Sequence, residues 1–225
     1  MRLSLHQKVQ LAEVWPAIVS ASNHVFLLSP ARAGGPRYEM LLRREARFDL
    51  AVKLRDGAAT LGEIYTFISG LYFRGKMAYA QAFPAPPPGV PSAVVIVPGA
   101  GLVPPDTVVS VEHLRAIAEV PVDEANRAYV EPLLESSRLL HEHSGPDCLY
   151  VLLGSIASAK YTMPLLDVFG DRLVFPADFV GRGDMSRGGL MLRCARSGVE
   201  LNYVPVRGAV RHGVRPPKLE RWRKQ

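Results

Sequence analysis

The stretch Ala93-Val-Val-Ile-Val97, breaking into Pro98-Gly-Ala-Gly-Leu-Val-Pro-Pro-Asp106, decides how this chain is read. Five consecutive apolar residues, four of them β-branched, suit a strand buried on both faces, and the glycines and prolines behind them forbid a helix. Outward from it, residues 24–28 (HVFLL) predict a second such strand, ending in Ser29-Pro30 and a Gly34-Gly35-Pro36 turn. Residues 148–153 (CLYVLL), 172–175 and 201–204 predict three more.

Between these strands the apolar spacing is helical. A leading helix is predicted over 5–20, a long one over 61–83, and others over 111–119, 127–143 and 186–197. Thr60 and Glu63 stand three apart as a capping box for the long helix. The run 84–91 (PAPPPGVP) is a stiff connector, since proline lacks an amide donor and fixes φ. Strand, loop and helix in repetition predict an α/β domain: three layers, with a mostly parallel, Rossmann-like sheet of about five strands and helices on both faces. Residues 1–206 form the single domain of this reading and 207–225 a basic C-terminal arm.

Composition narrows the function classes. At 225 residues and 48 % hydrophobic the chain can bury a full core. Its apolar runs fall far short of the roughly 20 residues of a membrane span. The first residues lack the apolar centre of a signal peptide, so a cytoplasmic location and no membrane partner are expected. Cys148 and Cys194 are expected as free core thiols, and His141 and His143 fall on different helix faces, so neither metal nor cofactor is expected. The net charge of +6 is equalled by residues 207–225 alone, which hold seven basic residues and one acid. Such asymmetry suits an arm that meets nucleic acid, or a solvated extension.

Ligands of open parallel sheets bind outside the carboxyl ends of the strands, so four loops are the places to look. The first, 29–35, offers Ser29 and Arg32. The second, 98–106, ends in Asp106, either a general base or the cap of the next helix. The third, 154–161, offers Ser155 and then Lys160 and Tyr161 beside small residues. That order is not the Tyr-x-x-x-Lys of short-chain dehydrogenases. The fourth, 178–189, brings glycines, Arg182 and Arg187 as forks for phosphate, and Ser186 at a predicted helix N-cap. Asp178 and Asp184 oppose a simple anion site there. Asp106, Asp184, Lys160 and Tyr161 are therefore the catalytic candidates. Ser29, Arg32, Ser155, Arg182, Ser186 and Arg187, with Arg211, Arg215 and Lys218 of the arm, are the phosphate-binding ones. The run Tyr72-Phe73-Arg74-Gly75-Lys76 could stack bases and hold phosphates, or pack aromatics inward with its cations in water.

The strand 93–97 with its turn 98–106, leading to Val122 and Asp123, resembles the strand and "GLVP" turn of the α/β domain of archaeosine synthase. That family belongs with the tRNA-guanine transglycosylases, and its α/β domain is similar in fold to uracil-DNA glycosylases. The resemblance spans residues 24–175. It implies a fold and an association with nucleobases; the glycosylase GxDPY motif and its later histidine loop are absent, so it carries over no catalytic residue. The expected function is an enzyme acting on a nucleobase within DNA or RNA, a DNA glycosylase-like hydrolase of an N-glycosidic bond. A non-catalytic nucleic-acid or partner-binding module and an enzyme of free nucleotides stand as alternatives.

Overall fold

The computed structural model describes residues 23–210, 212–217 and 219. The predicted helix over 5–20 lies outside the described residues. Among the described residues six strands form one sheet: β1 (His24–Leu28), β2 (Ala93–Val97), β3 (Gly101–Val103), β4 (Leu149–Leu153), β5 (Leu173–Pro176) and β6 (Tyr203–Pro205), in the order β3-β2-β1-β4-β5-β6. The four inner strands run parallel, and β3 and β6 add antiparallel edges. The expected mixed α/β fold is thus observed, with one strand more than expected. Strand β3 is short and glycine-led, and reads in sequence as turn.

Among the same residues eight helices cover the sheet: α1 (Pro36–Leu42), α2 (Asp49–Arg55), α3 (Leu61–Ser69), α4 (Leu71–Ala82), α5 (Val111–Ala118), α6 (Arg127–Ser144), α7 (Ala159–Phe169) and α8 (Asp184–Ser197). Strands β1 and β2 are buried at every residue, as strands covered on both faces must be. The capping box of Thr60 and Glu63 forms at the start of α3. The single helix expected over 61–83 is instead two, because Gly70 takes φ 63°, a conformation that ends one helix and starts the next at an angle. No helix among the described residues is long and apolar enough to cross a membrane.

Helices α4 and α8 cross closely, through glycine on both sides. A Cβ on Gly75 would stand 2.6 Å from Gly188 O, and one on Gly188 would stand 2.7 Å from Leu71 O. Alanine in mid-helix ordinarily stabilises by about 0.5–1 kcal/mol over glycine. Here the added methyl meets backbone that cannot move without separating the helices. We therefore expect Gly75→Ala to destabilise by about 2 kcal/mol, the scale of an overpacked core. Urea unfolding checks this, and a gain in stability would show that the crossing is looser than described.

Candidate functional site

The strand order reverses between β1 and β4, where the chain leaves β1 first for β2 on one side and later for β4 on the other. Crossovers diverge there, and the carboxyl ends of the strands leave a crevice. A cleft of about 1030 Å³ opens at this place, floored by Ser29 after β1, Pro98 after β2 and Ser155 after β4. Arg32, Arg37 and Lys160 line it, with Tyr72 of α4, Tyr161 of α7 and Asp184 of α8. Of the residues expected to carry function, the structure gathers Ser29, Arg32, Ser155, Lys160, Tyr161 and Asp184 in one cleft.

Each is placed by a local feature. Gly154 has no side chain because Ser29 fills its space: a Cβ there would lie 2.9 Å from Ser29 Cβ. Lys160 and Tyr161 open α7, and the ammonium of Lys160 lies 5.2 Å from the ring of Tyr161. Burial pushes the Tyr161 phenol up to about 12, so it stays a proton donor near neutral pH. Asp184 is the first residue of α8, where a carboxylate is favoured by the exposed amides of the helix start. Its side chain is 66 % exposed, which leaves it open to a ligand. It is the only acid on the cleft wall among the described residues.

Beneath the cleft lies a lysine, Lys76, that one reading of the 72–76 run sends to water. Lys76 on α4 is buried, and its ammonium lies 2.7 Å from Ser29 Oγ and 2.8 Å from Ser29 O, and 4.0 Å from the Tyr72 ring. Of the two cations in the 72–76 run, only Arg74 is exposed, which corrects the expectation of solvated cations. The spacing carries the signal. Lys76 stands three and four residues from Tyr79, Phe73 and Tyr72, and so shares their inward face. Burial lowers its affinity for a proton to a pKa of about 7, with Asp184 opposing and Arg187 reinforcing the shift.

Other expected residues go elsewhere. Arg187 is buried, and its guanidinium donates to Phe179 O at 3.1 and 3.3 Å while standing 3.7 Å from Asp184. It braces a turn and is absent from the cleft wall, so the phosphate fork expected there does not form. Ser186 is not the N-cap: Gly183 holds that position, and Ser186 instead accepts from Arg182 at 3.3 Å. Arg182, Ser186 and Arg215 line a separate groove of about 240 Å³, where the backbone of Val214 lies against Gly181. Gly213 lies likewise against the side chain of Val180. Arg211 and Lys218 lie outside the described residues.

Asp106 is at the opposite end of the sheet. Gly99 and Gly101 turn the chain at φ 79° and 76°, β3 runs back along β2, and Asp106 emerges near Ala93, where β2 begins. It does not cap α5 either, since Ser110 does. Cys148 and Cys194 are free and buried, as expected. No cluster of side chains that could hold a metal is present among the described residues.

Comparison with known proteins places no neighbour beside this geometry: no family model matches the chain, and no curated protein or solved structure matches it significantly.

The buried lysine yields a stability test. Between pH 10.5, the ordinary lysine value, and about 7, the unfolded chain takes up a proton that folded Lys76 does not, so stability falls as pH falls through this window. Below it both states are protonated and the loss levels off. Lys76→Met lacks this dependence. The melting temperature of the variant relative to the natural chain should be highest near pH 6 and should decline towards pH 10. A gap that does not vary with pH would mean that Lys76 keeps the proton affinity of an exposed lysine.

Proposed function

We propose that the cleft binds one nucleotide unit of a nucleic acid and hydrolyses its N-glycosidic bond. The observation that carries this reading is the cleft's charge composition: three cations, two tyrosines and a single acid, Asp184, line the same wall. Arg32 and Arg37 suit the phosphates, the edges of the buried Tyr72 and Tyr161 border the space for an extruded base, and Ser155 can accept or donate at the sugar. As the base departs, positive charge grows on the sugar, and a fixed carboxylate at that point stabilises the transition state more than the ground state. Lys160 is placed to offset the negative charge that grows on the leaving base. This agrees with the association with nucleobases that the resemblance of 93–106 implies.

The groove of Arg182, Ser186 and Arg215 includes Ser186 from the same first turn of α8 that carries Asp184, and supports a polynucleotide as the substrate over a free nucleotide. Both substrate types enter the test. The protein is incubated with oligonucleotides carrying varied modified bases and with nucleoside 5′-monophosphates, and released base is measured by mass. Asp184→Asn should lower base release by about 10²–10³-fold while substrate affinity stays within about threefold. Release that is undiminished in this variant would remove Asp184 from the chemistry.

Salt dependence separates the substrates. Each phosphate contact contributes a slope of roughly −0.7 to −0.9 in log affinity against log salt. A chain ending at Val214 should show a flatter slope than the full chain on the same oligonucleotide, because it lacks Arg215 and the basic residues of the last ten positions. Equal slopes and equal affinities would transfer the reading to free nucleotides.

A further inference from the structure

Lys76 is 1 % exposed, and among the described residues it makes no ion pair. Its polar partners are the two oxygens of one residue, Ser29, which lines the cleft. The 2.7 Å spacing of Nζ and Oγ is short enough for a proton to pass between them. Nζ donates to both Ser29 O and Ser29 Oγ, and Oγ donates in turn to Leu153 O at 3.4 Å; an amine that has lost a proton can instead accept the Ser29 hydroxyl proton over the same 2.7 Å.

A serine backed by a lysine suggests two chemistries, and the next residue chooses between them. An acyl-transfer nucleophile needs amide donors for the oxyanion, commonly including the amide after the serine. Here that residue is Pro30, which has none. Proton transfer requires no such donor.

We propose that Ser29 and Lys76 form the proton acceptor of the cleft, with Ser29 Oγ holding the attacking water and Lys76 Nζ receiving a proton through it. The inference rests on the glycosidic reading above. In the step, the water oxygen bonds to the anomeric carbon, and the bond from that carbon to the base breaks, its electron pair leaving with the base. The water gives a proton to Ser29 Oγ as the Ser29 proton passes to Nζ. Lys76 then returns its proton through Ser29 to the departed base, so nothing is oxidised and the net change is hydrolysis. Ser29 is the catalytic residue, and Lys76 acts through it. The groups facing Lys76 are Tyr72 on its own helix, Asp184 and Arg187 from α8, and the Ser29 loop. The field of Asp184 favours the ammonium once formed, that of Arg187 disfavours it, and burial near pH 7 lets the amine change state in either direction.

The test measures kcat and KM between pH 5.5 and 9.5 on the oligonucleotide and nucleotide panel above, for the natural chain, Ser29→Ala, Lys76→Met and Lys76→Arg. In the natural chain kcat should rise with pH through about 7 and then level off. Ser29→Ala and Lys76→Met should lose about 10²-fold or more in kcat, with KM within about threefold, and lose that limb. Lys76→Arg keeps a cation that cannot give up its proton, and should be as slow as Lys76→Met. Carbon NMR of lysine labelled at Cε should show one resonance that titrates near pH 7 and is missing from Lys76→Met. Where Lys76→Met does not fold, Ser29→Ala and Lys76→Arg decide. Full kcat with an unchanged pH limb in Ser29→Ala overturns the inference alone, as does a Lys76 resonance that stays protonated above pH 9. Absence of base release from every substrate in the natural chain overturns the glycosidic reading, and this inference with it.

Discussion

The approach of α4 to α8 through Gly75 and Gly188 sets what the rest of the molecule can do. With side chains at these positions the two backbones could not come together, and the first turn of α8 would stand back from the carboxyl ends of the strands. Because they do come together, Asp184 reaches the cleft wall from α8, and Lys76, one residue beyond Gly75, is sealed beneath it. Arg187, one residue before Gly188, is drawn inward by the same contact, and its guanidinium is consumed by Phe179 O. Two mid-helix glycines cost about 1 kcal/mol each in propensity. The loss is offset by the apolar surface of Tyr72, Phe73 and Met191 that is buried on these two helices.

How much of this the sequence displays depends on what each residue's neighbours in sequence report. The inner strands are legible because a strand covered on both faces must be apolar at every position, and residues 24–28, 93–97 and 148–153 are so or nearly so. The loops behind β1 and β4 follow from them, which is why Ser29, Arg32, Ser155, Lys160 and Tyr161 are found together. Strand β3 is not legible: its Gly-Leu-Val reads as the tail of a turn, and a missed antiparallel return displaces Asp106 by the whole length of the sheet. The cap of α8 lies three residues before the expected one for a related reason. Gly183 and Ser186 are both acceptable caps in sequence, and the extended backbone of Gly183, φ −80° and ψ 166°, decides in favour of the glycine. Lys76 eludes a reading by residue type, which sends lysine to water, although the helical spacing already sets it among the aromatics.

The cleft holds two groups suited to charge and proton work, and they sit in opposite environments. Asp184 is an exposed carboxylate at the start of a helix, and Lys76 is an amine enclosed by aromatic rings and backbone. Burial without a counter-charge disfavours the ion of either kind of group. Exchanging their places would put a carboxyl group in the interior, where burial favours its neutral form, and an amine on the wall, where exposure favours its ammonium. As arranged, the wall presents a carboxylate and the interior an amine, with Ser29 Oγ on the cleft wall 2.7 Å from that amine. The phenol of Tyr161, raised to about 12 by its own burial, completes the set as a donor that does not compete for the proton Lys76 can take. This division follows from depth in the fold, which the α4–α8 crossing fixes, and the identities of the side chains are useful only at the depths where that crossing puts them.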